Sequence, residues 1–539
     1  MGFAYLAPGL IGHDPWKADE GYSFGLINHI LKSGDWVVPT LAGEPFMEKP
    51  PLYYIIAAAF THSLESWLPL HDGARLASGL FAALTFLFVG LFGREAWGTK
   101  KSLTSIVMLG GCLGLVEPAH QIITDIALLS GIALAFYGLL LSLRRTFAGG
   151  IALGTGVGIA FMSKGLIGPG LIVIIALSLP LIFHRWRNRH YASCLLVAFA
   201  SAFPWLTLWP IALYQRSPAL FESWFWINNV GRYVGFAHLG ADSEPWFYVR
   251  TLMWFAFPAF PLAMWTAWKL RRELVKDAAL QLAILSFVLM ALVLVCSASA
   301  RAVYALPLLV PISVIAARGL ESLSSRFSVA FSALARVAFG LSAMGLWLVW
   351  IQMQCQGHLP GWPWLVQLVA MDFVPKIELV PTLLALVITI IWLWGPRRIE
   401  SPGYRSLTIW SLGVALVWGL LTTLWLPLID TTRSYQATFT SMDMAMSQLR
   451  NCVTGKNLGE SERAMLEYFD DVITIRPEQS SAANCDYLLV EEKIDESRKE
   501  ISGDWRPIWH GHRPGDRRER FILLQRLSHV RGRVHEKTS

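Results

Sequence analysis

The chain has 539 residues, of which 54% are hydrophobic and only 15% are charged, whereas about 25% of the residues of a typical soluble domain are charged. This composition excludes an ordinary soluble protein and favours a helical membrane protein. The formal net charge of +7 does not indicate nucleic-acid binding, because the basic residues occupy short segments between apolar stretches and form no continuous basic face.

The first apolar segment, MGFAYLAPGLIG, is too short to cross a membrane. It has about a dozen residues, against the roughly 20 that a span needs, and it lacks the charged start of a signal peptide. We expect either that the true start lies upstream or that this stub packs in place of a complete first helix.

A helix is predicted after Asp14. Asp14 is a suitable N-cap, Pro15 suits the first helical position, and Gly34 can end the helix. Asp19 and Glu20 then lie in the early turns, where carboxylates complement the helix dipole.

The segment GEPFMEKPPLYYII, residues 43–56, places an acid and a base before two prolines and an apolar run. The residue before a proline favours extended geometry, and proline is tolerated at a helix start. Glu48 and Lys49 are therefore expected on extended backbone before a helix that lies along the outer leaflet. This predicts both side chains at the depth of lipid phosphates, with the rings of Tyr53 and Tyr54 at the interface.

Twelve further apolar segments are predicted to span the membrane: 75–97, 103–118, 121–143, 147–162, 165–184, 191–214, 246–268, 278–299, 302–320, 330–353, 378–396 and 405–428. Basic clusters follow every second span, which places those loops in the cytoplasm. A span over residues 52–70 would break this alternation. The first loop, residues 13–74, and the C-terminal region are therefore predicted to face the periplasm.

The composition becomes that of a soluble domain after Asp430. We predict a membrane domain over residues 1–429 and a periplasmic domain over 430–539. ERAMLEYF has helical spacing, and DYLLVEE and RFILLQRL have the composition of strands, which predicts a small α/β domain. An oxidising compartment permits a disulfide between Cys452 and Cys485.

Charged residues are predicted to gather at the outer face. They are the acids Asp19, Glu20, Glu48 and Asp125 and the bases Lys49, Lys164, Arg232 and Arg301. Charges at membrane depth are costly and mark functional sites, and the positive-inside rule does not explain cations on this side. Cations there suit a lipid phosphate or diphosphate, and carboxylates suit a divalent metal or a general base. His238 is interpreted as a surface histidine, since no His/Cys cluster has zinc spacing.

The first outer loop resembles that of bacterial GT-C-fold glycosyltransferases, in particular the 4-amino-4-deoxy-L-arabinose lipid A transferases and related protein O-mannosyltransferases. The resemblance rests on DEGYSFGLINHILKSGDWVVPTLAGEPFMEKPPLYYII and on the later segments ITDIALL, FMSKGLIGP, NNVGRYVGF and RAVYALPLLVP. It covers about residues 14–320. It implies an all-α polytopic domain with 12 to 13 spans, followed by the small α/β domain.

The resemblance also implies roles for the charged residues. Asp19 would lie at the reacting centre, with Glu20 beside it and Asp125 in the same catalytic set. Lys49, Lys164 and Arg232, together with Arg301, would bind the polyprenyl phosphate. Glu48 would be a ligand of a divalent metal or a polar ligand of the substrate; in the relatives this glutamate can share a metal with a histidine before the arginine, where this chain has Asn228-Asn229.

These observations predict an inner-membrane glycosyltransferase. It would move a sugar from an undecaprenyl-phosphate-linked donor to a lipid, glycan or protein acceptor on the periplasmic side, with aminoarabinose transfer to lipid A as one such reaction. Two alternatives stay open: a secondary transporter or flippase of an anionic lipid-linked substrate, and a membrane scaffold with a sensor domain. A transporter would show internal repeats, which the sequence lacks, and charges near the membrane midplane.

Overall fold

The computed structural model describes residues 2–231, 244, 246–297, 299–359, 361–362, 373–446, 452–493, 504–516 and 518–527. Within these ranges, nine helices are long and apolar enough to cross a membrane, or up to eleven if each of two bent helix pairs is one span. The protein is therefore a polytopic helical membrane protein with a small C-terminal sheet domain.

The helices of the membrane domain are α1 Gly2–Leu6, α2 Asp19–Ser33, α3 Leu52–Leu64, α4 Leu70–Trp97, α5 Thr99–Gly110, α6 Leu113–Val116, α7 Thr124–Leu141, α8 Thr146–Lys164, α9 Ile167–Ile182, α10 Arg189–Arg216, α11 Pro218–Glu222, α12 Phe247–Phe255, α13 Ala259–Lys269, α14 Ala278–Val295, α15 Leu309–Gly319, α16 Ser325–Gln356, α17 Leu379–Trp394 and α18 Pro402–Thr423. A π-helical segment, Ser223–Gly231, follows α11, and a 3-10 turn, Ala302–Leu308, precedes α15.

The twelve predicted spans correspond to helices, but two of them are not straight. The segment 103–118 bends by 80° between α5 and α6, and the segment 246–268 bends by 102° between α12 and α13. Paired glycines at 110 and 111 weaken the first helix, and Pro258 cannot donate the hydrogen bond that would continue the second. The segment 165–184 forms only the 16-residue helix α9.

Helix α2 begins at Asp19, four residues later than predicted. The Asp14 carboxylate does not cap it, because it accepts a hydrogen bond from Ser434 Oγ at 2.5 Å, while the Asp14 N–H donates to Asp430 at 3.0 Å. These contacts hold residues 14–18 as a loop against the start of the C-terminal domain. Gly34 ends the helix as predicted, in the left-handed conformation at φ 71°, with its N–H donating to the Ile30 carbonyl.

Helix α3 has 13 residues and packs against α4. The predicted interfacial position of the Tyr53 and Tyr54 rings is wrong, since both side chains are fully buried. Tyr53 Oη lies 2.6 Å from Ser78 Oγ on α4, and its ring stacks on Phe81. The inner face of α3 is therefore filled by protein.

The C-terminal domain contains helices α19 Leu426–Arg433, α20 Gln436–Ala445 and α21 Glu460–Asp470 and the strands β3 Val453–Lys456, β4 Thr474–Ile475, β5 Tyr487–Lys493, β6 Trp505–Gly511 and β7 Glu519–Arg526. A short hairpin in the first loop supplies β1 Thr40–Leu41 and β2 Glu44–Pro45. The five strands have the order β4-β3-β5-β7-β6, parallel among the first three and antiparallel from β5 onward.

The helix and strands predicted for this domain are all present. Cys452 and Cys485 form a disulfide that joins the residue before β3 to the loop before β5. Helix α21 packs along α2, so α2 lies between the membrane domain and the C-terminal domain.

Candidate active site

A cavity of about 380 Å³ opens between α7, α8, α9 and α14. Its residues are Glu48, Lys49, Asp125, Leu128, Lys164, Leu166, Ile167, Gly170, Leu171, Ile174, Asn228, Asn229, Val230, Val293, Leu294, Ser297, Ser299, Arg301, Tyr304 and Pro307. One part of the lining carries the charged groups, and the other is formed by aliphatic side chains of α9 and α14. The cavity thus joins a polar head site to an apolar groove.

Asp19 lies in the first turn of α2 and pairs with Arg301. Two guanidinium nitrogens of Arg301 donate to the two carboxylate oxygens, one of them at 3.2 Å. Burial acts to raise the pKa of Asp19, but Arg301, with Lys49 and Lys164 nearby, outweighs it, so the pKa is lowered. Asp19 therefore stays ionised next to a cation that lines the cavity.

Asp125 and Lys164 form a second ion pair at the cavity wall. Asp125 lies in the first turn of α7, where its charge complements the helix dipole, and Lys164 ends α8. The Lys164 ammonium also lies 4.3 Å from the centre of the Tyr304 ring, close enough for a cation–π contact. Both charges are held before any ligand arrives.

Lys49 is almost completely buried, with 8% of its surface exposed. Its ammonium donates to Tyr22 Oη at 2.6 Å and lies 5.1 Å from the centre of that ring. Sequence reasoning did not assign Tyr22 to the site. Its spacing of three residues from Asp19 on the same helix was the available signal.

Glu20 belongs to a buried network outside the cavity lining, which changes the role inferred for it. Its carboxylate accepts hydrogen bonds from Arg75 Nε at 3.1 Å, the Ile122 N–H at 3.0 Å and the Trp16 N–H at 3.2 Å. Arg75, near the N-terminal end of α4, is fully buried and was missed. An arginine inside an apolar span was the signal for it, because such a charge needs a partner. Glu20 therefore anchors the first turn of α2.

Arg232 and His238 lie outside the described residues. Asn228 and Asn229 line the cavity, and Asn229 Oδ1 accepts a hydrogen bond from the Leu166 N–H at 3.0 Å. This bond attaches the π-helical segment to the turn after Lys164.

The described residues do not fit a metal centre at Glu48. In the ranges that the structure covers, the group of three or more side chains suited to a metal is Glu462, Glu491 and Glu519, in the C-terminal domain. Those three carboxylates could hold a cation, and the Lys17 ammonium lies among them, 2.5 Å from Glu462. Glu48 lines the cavity and, among the residues that the structure describes, belongs to no such group.

This helical architecture is the GT-C fold. The chain is similar in structure to ArnT from Cupriavidus metallidurans bound to undecaprenyl phosphate, with a TM-score of 0.68 and 14% identity over 96% of this chain and 95% of that one. The apo state of the same protein matches equally well, with a TM-score of 0.68 and 15% identity. The fold class predicted from the sequence is confirmed.

Sequence comparison leads to the same group of proteins. Residues 48–209 match the dolichyl-phosphate-mannose-protein mannosyltransferase family. The chain is 29% identical over 293 residues to an undecaprenyl phosphate-alpha-4-amino-4-deoxy-L-arabinose arabinosyl transferase of Pseudomonas aeruginosa, covering 51% of this chain and 50% of the relative. It is 28% identical over 327 residues to the protein of the same name in Serratia proteamaculans, covering 58% and 56%. The chain thus spans about half the length of the curated relatives it matches, and the predicted resemblance is confirmed.

Proposed function

We propose that this protein is an inner-membrane glycosyltransferase that moves a sugar from an undecaprenyl-phosphate-linked donor to a lipid, glycan or protein acceptor. The proposal rests on one observation, the cavity. It is lined both by three cations, Lys49, Lys164 and Arg301, and by aliphatic side chains that form a groove. A prenyl phosphate has the matching chemistry, with an anionic head and a long apolar chain.

The cations account for the binding of the phosphate and for the departure of the leaving group. During a displacement at the anomeric carbon, negative charge builds on the phosphate oxygens as the glycosidic bond breaks. Preorganised cations in a low-dielectric site stabilise that charge more than they stabilise the ground state. Lys49 and Lys164 are already fixed, by Tyr22 and Asp125 respectively, so little reorganisation is needed.

Asp19 is assigned to the acceptor. With a hydroxyl acceptor, its carboxylate takes the proton as the new bond forms, and the product is inverted at the anomeric carbon. With a phosphate acceptor, no strong base is needed and Asp19 positions the acceptor instead. Asp125, paired with Lys164, holds that cation against the cavity wall, and a contribution from Arg232 is part of the same proposal. No step requires a metal at Glu48.

The aliphatic part of the cavity receives the first isoprene units. Leu171 and Ile174 of α9 and Val293 and Leu294 of α14 line it. Burying such surface is worth about 0.8 kcal/mol per CH₂ group, so a prenyl chain adds affinity that a water-soluble sugar phosphate lacks. Aminoarabinose on undecaprenyl phosphate is the first donor to test, because it appears in the names of the relatives.

The active site is proposed to face the periplasm. The alternate basic loops support this orientation, and so does the Cys452–Cys485 disulfide, since disulfides persist in oxidising compartments. Reporter fusions after Arg145 and Arg272 should lie in the cytoplasm, and fusions after Gly43 and Ser461 in the periplasm. A cytoplasmic reporter at Gly43 would contradict the proposed orientation.

The decisive experiment is a turnover assay with the purified protein. Radiolabelled undecaprenyl-phosphate aminoarabinose is incubated with lipid A, and transferred label is counted after separation of the lipids. Transfer that is lost in Lys164→Met supports the proposal. If label crosses a proteoliposome membrane without being transferred, the protein is a transporter or flippase. Mass spectrometry of lipid A and surface glycans from a deletion strain then identifies the natural sugar and acceptor.

A further inference from the structure

Lys17, in the loop that leads into α2, is enclosed by carboxylates of the C-terminal domain. Its ammonium lies 2.5 Å from Glu462 and 3.7 Å from Glu491 and is in contact with Glu519. These glutamates come from α21, β5 and β7, so one lysine joins three elements of the domain to the membrane part of the chain. Lys17 also precedes Asp19 by only two residues.

Two of the three glutamates, Glu462 and Glu519, are themselves held by other side chains of the domain. Tyr435 Oη donates to Glu462 at 2.7 Å, and a guanidinium nitrogen of Arg513 donates to Glu519 at 3.0 Å. Glu462 is 1% exposed and Glu519 8% exposed. A buried charge that loses its partner is strongly unfavourable, so this cluster holds Lys17 tightly in place.

A second contact fixes the same loop one residue further on. Ser461 Oγ, in the first turn of α21, donates a hydrogen bond to the Ala18 carbonyl. The two helices then pack with little space between them, since a Cβ at Gly21 would lie 3.0 Å from Ser461 Cβ and one at Gly25 would lie 2.6 Å from Ala464 Cβ. The first turn of α2 is therefore held by the C-terminal domain.

We infer that the C-terminal domain positions Asp19 for the reaction, with Lys17 as the positioning residue. The inference rests on the proposed transferase function for the role of Asp19, but the attachment itself can be measured without turnover. Because misplacing a reacting group by about 1 Å can cost about a hundredfold in rate, a loosened loop should lower kcat.

A matched control lies at the other end of the same helix. Lys32 pairs with Asp471 at 3.1 Å and with Glu467 at 3.6 Å, so it also joins α2 to the C-terminal domain. It is about 20 Å along the helix from Asp19, at about 1.5 Å per residue. Lys32→Met removes an ion pair between the same two elements without disturbing the first turn.

The kinetic arm compares full-length Lys17→Met, Lys17→Arg and Lys32→Met with wild type. Lys17→Met should lower kcat about tenfold or more while the KM for the donor changes less than about twofold, because the cavity cations are untouched. Lys17→Arg, which keeps the charge, should recover most of the loss. Lys32→Met should leave both constants near their wild-type values.

The second arm measures how well position 19 is held. In Asp19→Cys, with the exposed free Cys296 and Cys355 replaced by serine, a thiol-reactive maleimide reports access to the first turn of α2. Labelling should become about fivefold faster when Lys17→Met is added and should stay unchanged with Lys32→Met. Ser461→Ala, a smaller change, should accelerate labelling to a lesser degree and replaces Lys17→Met if that variant does not fold.

The outcomes separate the two hypotheses. Faster labelling together with the kcat loss supports the inference. Faster labelling in a protein that never transfers sugar would overturn the proposed function and leave the attachment standing. Labelling that is equally slow in Lys17→Met, Ser461→Ala and wild type would overturn the inference, whatever the turnover.

Discussion

The most specific prediction concerns Lys49, because one substitution can remove the charge of its side chain and keep most of the packing. Lys49→Met keeps the length and the apolar stem of the side chain and removes the ammonium. We expect turnover to fall about 100- to 1000-fold, since loss of one preorganised contact to a developing anion costs about 2.7–4 kcal/mol and each 1.36 kcal/mol is tenfold in rate. Folding should be much less affected.

The structural cost can be bounded from the contacts. Among the described residues, Lys49 makes one hydrogen bond, to Tyr22 Oη at 2.6 Å, and one cation–π contact with the same ring. In Lys49→Met the buried Tyr22 hydroxyl loses this partner, at a cost of about 1–3 kcal/mol in the free energy of unfolding. Tyr22→Phe breaks the same hydrogen bond but leaves the charge, so it is the matched control.

The assay measures transfer of radiolabelled donor by detergent-purified variants, with the melting temperature of each as the measure of stability. Lys49→Met and Tyr22→Phe should lose similar stability, whereas only Lys49→Met should lose transfer a hundredfold or more. Lys49→Arg should recover part of the activity, since a planar guanidinium does not reproduce a compact ammonium. If Lys49→Met keeps near-normal transfer, Lys49 serves as a structural anchor and the assignment of the phosphate site is refuted.

Three further predictions follow from the pKa values and the disulfide. Arg301→Gln should raise the lowered pKa of Asp19, so the acidic limb of the kcat/KM profile should move to higher pH, and an unmoved limb would contradict Asp19 as the titrating base. Burial, and then the charge of neighbouring carboxylates, raises the pKa of Glu491 from 4.5 to about 7. The protonated Glu491 side chain stabilises the fold fully below the pKa that it has in the unfolded chain, and this contribution is lost as pH rises through about 7. The Tm should therefore be higher at about pH 5 than at about pH 8. Glu491→Gln should reduce that difference in Tm. Replacing both Cys452 and Cys485 with serine should destabilise the C-terminal domain by about 2–4 kcal/mol and speed its proteolysis in urea, and an unchanged rate would mean that the domain does not depend on the disulfide.

Much of the architecture could be predicted because it depends on local properties of the chain. A span is a run of about 20 apolar residues, and a helix or a strand in the C-terminal domain has a characteristic periodicity. The same reasoning selected Glu48, Lys49, Asp125, Lys164 and Arg301, since charges in apolar surroundings are rare enough to stand out. The structure places all five at one cavity.

What the sequence determined by itself was thus the set of elements and the unusual charges, because both can be recognised from residues that are near one another in the chain. The tertiary structure decided which charges meet. Glu20 and Asp19 are adjacent in sequence, yet Arg75 binds one and Arg301 binds the other, from residues 55 and 282 positions away. The start of α2, the burial of Lys49 beside Tyr22 and the enclosure of Lys17 likewise depend on partners that only folding brings within hydrogen-bonding distance, and no local pattern encodes them.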